Sequence, residues 1–259
     1  MNNQDNNFFG SGGIRPQQLM SLEGMASRIH EHSKRVIGNM IEYKELMMMY
    51  ACAIKEIRTK LEILDTDFKV RYSRNPISNI KSRVKSTASI AKKLNRMGSA
   101  ITVENIIENI NDAAGVRVIC SYVDDIYLLA DALLKQEDVR LVEKKDYIAS
   151  PKENGYRSLH LIVTVPVFFM DERREMKVEV QIRTIAMDFW ASLEHQLKYK
   201  QAIDDDCEIA SQLRECAEII AKTDCRMMAI REEIEKMKDT PTEDDVMLEK
   251  LSKFDINIT

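Results

Sequence analysis

The sequence predicts an α/β (α+β) protein, a mixed β-sheet core flanked by long N- and C-terminal helices. Three observations predict it. No proline interrupts residues 20–64, where apolar residues such as Met25, Ile29, Val36, Met40, Ile57, Leu61 and Leu64 recur at mixed three- and four-residue steps, the spacing of a helical face. Strand-like and helix-like segments then intermix through the middle of the chain. From Ile209 the run Leu213, Cys216, Ile220, Thr223, Met227, Ile230, Ile234, Met237 steps alternately by four and three, the seam of a coiled coil or bundle helix.

In chain order, residues 1–18 are rich in Asn, Gln and Gly and read as a flexible segment. The GSGG at 10–13 lacks a preceding strand and a following Lys-Ser/Thr, so it is no phosphate loop. An N-terminal helical region, 19–68, is expected as one or two long helices. Within it, Met47, Met48 and Met49 read as packing, not as a cofactor site. The core covers 69–200. Asn75-Pro76 breaks the chain early in it, and helices are expected over Ala88–Arg96, Val103–Ala113 and Val123–Gln136. Strands are expected over Gly115–Tyr122, Arg140–Ile148, Ser158–Phe168 and Lys177–Thr184, with the second and third close enough for an antiparallel pair. Residues 201–259 form a C-terminal helical region whose seam packs either on the N-terminal helices or on another subunit.

Composition narrows the class. The chain has 259 residues, 44% hydrophobic and 31% charged, with a net charge of −4. That is ample for a core without metal or disulfide staples. Its five cysteines include no C-x-x-C pair, so reduced thiols and a cytoplasmic location are expected. The longest apolar run, Leu46–Ile54, is nine residues, too short to span a bilayer. The first residues lack the basic and apolar stretches of a secretory signal. The small net charge conceals an asymmetry: residues 69–96 hold nine Lys/Arg and no acidic residue. A solvated helix face normally mixes both signs; an uncompensated block points to a polyanionic partner.

Three segments offer chemistry. In Lys177–Thr184, KVEVQIRT, period-two alternation sends Val178, Val180 and Ile182 to one face and Glu179, Gln181 and Arg183 to the other. An acid, an amide and a guanidinium in a row suit a polar cleft, although antiparallel sheets also expose such faces. Asp112 lies at a helix–strand junction, followed by Gly115 and Arg117. It can cap the turn, or meet Glu179 across the sheet and hold Mg²⁺, a hard cation that favours oxygen ligands. In DYIASPKENGYRSLH, 146–160, the Asn154-Gly155 turn presents Lys152, Tyr156, Arg157 and His160. Tyr156 can stack on a nucleobase or pack the loop against the sheet, and His160 can equally be a core histidine.

The ordered blocks IKSRVKSTASIAKKLNR, DAAGVRVIC, DYIASPKENGYRSLH and EVQIRTIAMDFWASLEHQLKYK resemble the RelA/SpoT synthetase family over about 77–200. The compact length is similar to the small, single-domain alarmone synthetases, most of all the Q-type. The resemblance implies a nucleotidyltransferase-like synthetase core that transfers the β,γ-pyrophosphate of ATP to the 3′-hydroxyl of GDP or GTP. The products are ppGpp or pppGpp, the alarmones of the stringent response, and AMP. It further implies Asp112 and Glu179 as Mg²⁺ carboxylates, with Glu179 also the base for the 3′-hydroxyl. By the same resemblance Arg83 and Arg117 clasp the adenine and phosphates of ATP, Lys85, Ser89 and Lys93 bind its phosphates, and Tyr156 stacks on guanine. Lys152, His160 and Gln181 complete the GDP/GTP pocket.

The Q-type enzymes are homotetramers whose central cleft can bind pppGpp. Asn79, Lys81 and Asp188 depart from the residues of that effector site, and residues 1–37 are unmatched. The resemblance therefore implies a homotetramer, with single-stranded RNA a further possible partner and no membrane. The hydrolase half of the long family members, with its His-Asp metal site, has no counterpart here: the four His residues form no His-Asp pair. Two rival functions share the fold, a toxin-type tRNA 3′-end pyrophosphokinase and a non-catalytic RNA-binding module. The latter is expected to lose a carboxylate or the stacking tyrosine, and Asp112, Glu179 and Tyr156 are all present.

Overall fold

In a computed structural model, residues 16–72, 74–200 and 207–237 are described. Most of the 1–18 segment, the 201–206 connection and the end of the C-terminal region fall outside them. The chain divides into two units, Met1–Leu46 and Met47–Thr259. The first carries the opening turns of helix α1, Pro16–Tyr72. The second carries the rest of α1, and then β1 (Ile77–Val84), α2 (Thr87–Arg96), α3 (Val103–Asn109), β2 (Ala114–Cys120), α4 (Val123–Leu134), β3 (Arg140–Asp146), β4 (Leu159–Phe168), β5 (Arg173–Thr184), α5 (Ile185–Lys200) and α6 (Cys207–Met237).

The N-terminal helical region is thus one helix, and it runs past residue 68 into the basic block. Lys69 and Arg71 occupy its last turn, where cations meet the negative end of the helix dipole. The predicted break follows, but β1 comes as a correction, because no strand was expected before residue 115. The sequence ISNIKSRV is polar and only Ile77 is buried, as suits an edge strand, which charged side chains keep from pairing with other chains. The helix expected over Val103–Ala113 stops at Asn109: Ile110 is extended, which frees Asp112 from the helix. Strand β5 begins at Arg173, earlier than expected, because its charged start pairs with the end of β4 in a hairpin closed by Phe169 N–H donating to Glu172 O at 2.8 Å.

The five strands form one sheet in the order β1-β2-β5-β4-β3. Strands β2 and β5 are parallel, and the other neighbours, including the expected β3–β4 pair, are antiparallel. One face is apolar: Val116, Val118, Leu161, Val163, Val178, Val180 and Ile182 are fully or almost fully buried. On α4, Ile126, Leu129 and Leu133 are likewise sealed from water. Each such side chain contributes roughly 1.5–3 kcal/mol by leaving water. The opposite face is left to the polar residues.

The C-terminal seam splits between two faces of α6. The inward stripe of α6 is Leu213, Ala217, Ile220, Asp224, Met228 and Arg231, whereas Cys216, Thr223, Met227, Ile230 and Ile234 are exposed. Polar anchors cause the offset. Asp224 accepts a hydrogen bond from Thr184 Oγ1 at 2.7 Å, and Arg231 grips Asp124 of α4 with two nitrogens at 3.1 and 2.8 Å. A count of apolar residues cannot register anchors of this kind. Among the described residues, Cys52, Cys120, Cys216 and Cys225 form no disulfide.

Candidate active site

Strand register assembles the polar face. One row crosses all five strands: Lys81 of β1, Arg117 of β2, Gln181 of β5, His160 of β4 and Lys145 of β3 are successive Cα partners. The adjoining row sets Arg83 opposite Gly115, and Gly115 opposite Glu179. Gly115 has no side chain to fill the space between them. Lys81, Arg83, Asp112, Gly115, Arg117, Glu179 and Gln181 accordingly line one pocket.

At the β5 side of that pocket five side chains close a ring of hydrogen bonds. Arg183 Nη2 donates to Tyr156 Oη and to Gln181 Oε1 (3.0 Å); Gln181 Nε2 donates to Glu179 Oε2 (3.0 Å). His160 completes the circuit, with Nδ1 3.1 Å from Glu179 Oε1 and Nε2 2.8 Å from Tyr156 Oη. Because Arg183 and Glu179 fix the two ends, the consistent assignment has the Tyr156 hydroxyl donating to Nε2 and His160 Nδ1–H donating to Glu179. Burial is the largest influence on Glu179 and pushes its pKa up. Hydrogen bonds from His160 and Gln181, with the electrostatic pull of the imidazole, outweigh it and hold the carboxyl below the usual glutamate range. Glu179 is therefore a carboxylate with its lone pairs partly engaged.

A second cleft adjoins through Arg83, which lines both. Lys85 and Ser89 line it near the start of α2, and Lys92, Lys93 and Arg96 toward the end of that helix. Ser86 caps that helix and accepts from Ser89 N at 3.4 Å. Cations clustered along one cleft with no acidic side chain among its lining form an anion site. Asp112 stands at the junction of the clefts, where Lys85 Nζ and Lys93 Nζ (2.8 Å) bind its two oxygens. Burial again raises the Asp112 pKa most, and the two lysines more than reverse it, so the group stays ionised. Its charge is felt by Glu179. Two facing carboxylates suit a hard cation that draws its remaining ligands from phosphate and water. Among the described residues no cluster of three or more potential metal ligands exists, and Asp112 and Glu179 are the carboxylates that line this pocket.

The loop bearing Tyr156 is held from behind. Gly155 has φ +87°, and a Cβ there would lie 2.6 Å from the Ala217 Cβ of α6. Arg157 Nη1 donates to Ala217 O (3.2 Å), Asn154 Nδ2 to Glu194 Oε1 of α5 (3.1 Å), and Trp190 Nε1 to Leu213 O (2.9 Å). Tyr156 packs on the Trp190–Ala191–Ala217 cluster, while Lys152 Nζ sits 4.6 and 5.0 Å from the Tyr147 and Tyr156 ring centroids. Tyr156 thus does pack its loop, and it also joins the polar ring. Gly155→Ala is expected to destabilise the protein by roughly 1–3 kcal/mol, since overpacking and an unfavourable φ act together; a lowered urea midpoint at unchanged slope would show it.

Of the site residues singled out in the sequence, Arg83, Lys85, Ser89, Lys93, Asp112, Arg117, Glu179 and Gln181 line the two clefts, His160 on β4 bonds Glu179, and Lys152 and Tyr156 stand on the adjoining loop. Three partners were not singled out as site residues. Arg183, 3% exposed, was placed on the polar face by strand parity yet given no role. Tyr147 meets both Tyr156 and His160 edge-on, and Ser158 Oγ accepts from Arg183 Nε at 3.3 Å. Neither of the last two carries a local sequence signal.

With fold and site in place, the kinship is clear. Residues 82–204 match the region found in RelA / SpoT proteins. The chain is 45% identical over 196 residues to GTP pyrophosphokinase YwaC of Bacillus subtilis (strain 168), which covers 76% of this chain and 93% of the relative. The chain belongs to the RelA/SpoT family. Among solved structures it is similar to the small alarmone synthetase 2 from Bacillus subtilis (44% identity, TM-score 0.68, 74% of this chain and 99% of that one). It is also similar to small alarmone synthetase 1 from the same organism. That protein is known bound to its product pppGpp (35% identity, TM-score 0.68, 74% and 97% covered) and bound to AMPCPP (32%, 0.63, 75% and 98%).

Proposed function

We propose that the protein is a GTP pyrophosphokinase acting in the cytoplasm in the stringent response: it moves the β,γ-pyrophosphate of ATP onto the 3′-hydroxyl of GDP or GTP, giving ppGpp or pppGpp and AMP. The observation that carries this is the adjacency of a polycationic cleft along α2 to a pocket with two ionised carboxylates. Relatives named for this reaction, and neighbours holding pppGpp and AMPCPP, support it.

The chain's own groups fit the chemistry. Lys85, Lys93, Ser89 and Arg83 receive the donor phosphates; each ammonium has three protons and can bridge Asp112 and a phosphate oxygen at once. Arg117 lies beside them for the adenine. Tyr156 offers its ring to guanine, with Lys152, His160 and Gln181 around it. Glu179 takes the proton from the 3′-hydroxyl, whose oxygen attacks the β-phosphorus as the bond to the bridging oxygen of AMP breaks. Transfer of this kind depends on positioning and charge neutralisation. Asp112 and Glu179 would hold Mg²⁺, which supplies further neutralisation of the phosphates when bound.

Product analysis with ATP and GDP, GTP or deacylated tRNA tests the reading. Guanosine tetra- or pentaphosphate with equimolar AMP is expected. Label on tRNA alone would replace it with the toxin-type reaction, and no turnover with any acceptor would leave a binding module. Self-association as a homotetramer is part of the proposal, supported by the exposed Ile219, Met227, Ile230 and Ile234 of α6. Light scattering measures it directly. Single-stranded RNA remains a proposed ligand of the basic cleft, and no helix among the described residues is long and apolar enough to cross a membrane.

A further inference from the structure

Asp188 gathers three cations, Lys81, Arg117 and Arg183, on one carboxylate. It lies in the first turn of α5, which Thr184 starts by accepting from Met187 N at 3.0 Å, and it is 8% exposed. Its Oδ1 receives Arg117 Nη1 at 3.2 Å and Arg183 Nη1 at 3.4 Å, while Oδ2 receives Lys81 Nζ at 3.3 Å. Arg117 lines the pocket that Arg83 joins to the polycationic cleft, whereas Arg183 holds Tyr156 and Gln181 of the acceptor ring. The two guanidiniums share a single oxygen and repel each other: on Arg183, burial opposes the charge most, Arg117 adds to that, and Tyr156 and Asp188 offset it. Arg117 Nε is moreover buried with no hydrogen-bond partner among the described residues, so this arginine is incompletely fixed.

Resting on the synthetase reading above, we infer that Asp188 is a positioning residue that couples the ATP and GDP/GTP subsites through Arg117 and Arg183. A nucleotide that seats Arg117 fixes the carboxylate, and the carboxylate fixes Arg183 with the acceptor ring behind it. The ordering cost is then met once for both ligands, which is positive cooperativity without a change of fold. Lys81, more exposed, supplies the third positive charge on the carboxylate.

Calorimetric titration of AMPCPP with and without saturating GDP tests this in the wild type and in Asp188→Asn. GDP is expected to tighten AMPCPP at least about fivefold in the wild type, and the factor should fall to about one in Asp188→Asn while each ligand alone still binds. Should that variant fail to fold, Arg183→Lys cuts the acceptor arm and leaves the carboxylate, and it should lose the coupling with AMPCPP affinity retained. Equal coupling in wild type and variant, or none in the wild type, would overturn the role of Asp188 alone. Failure of the wild type to bind either nucleotide would overturn the synthetase reading with it.

Discussion

Glu179→Val should leave the protein folded and abolish pyrophosphoryl transfer, with turnover down by roughly 10³-fold or more. General-base removal alone accounts for about 10²–10⁴-fold, and the same change takes away one of two carboxylates facing the phosphates. The far-UV spectrum is expected to be unaltered. His160 Nδ1 and Gln181 Nε2 lose an acceptor, but the cost of burying an ion disappears with it. Single-turnover assays measure the loss, and activity within tenfold of wild type would remove Glu179 from both of its proposed roles.

The second large effect is expected at Tyr156. Tyr156→Ala should raise the KM for GDP about ten- to a hundredfold, the range of one lost base–aromatic stack, with the KM for ATP nearly unchanged. Tyr156→Phe separates the ring's two functions. It keeps the stack but strands Arg183 and His160, which now bond the hydroxyl, so kcat should fall more than the GDP KM rises. Initial-rate kinetics over both substrates would tell the two apart; equal rises in both KM values for the alanine variant would exclude an acceptor-specific role.

The polar face was legible because period-two alternation is strict in KVEVQIRT, and the helix-to-strand junction carrying Asp112 announced itself through Gly115. Strand β1 was not legible. Its side chains are those of a solvated segment, and it is a strand only because β2 offers a free edge across which Arg83 meets Gly115. Nor could the chain alone show that Lys85 and Lys93 clasp Asp112, since residues 85, 93 and 112 converge only through the sheet. Asp188 was conspicuous as a departure from the effector site of similar enzymes. Its bonds to Lys81, Arg117 and Arg183 give it an active-site role, a relation that depends on how α5 leaves β5.

The packing of α6 behind the acceptor loop bears on how this chain can be shortened. A polypeptide ending before Cys207 would retain every residue proposed to touch a nucleotide. It would nevertheless expose the back of Gly155, take the backbone acceptors from Arg157 and Trp190, and leave Asp224 missing from the Thr184 cap. The smallest autonomous catalytic fragment therefore extends well beyond the conventional synthetase core, and a minimal version has to carry the C-terminal helix as a template for its own substrate loop.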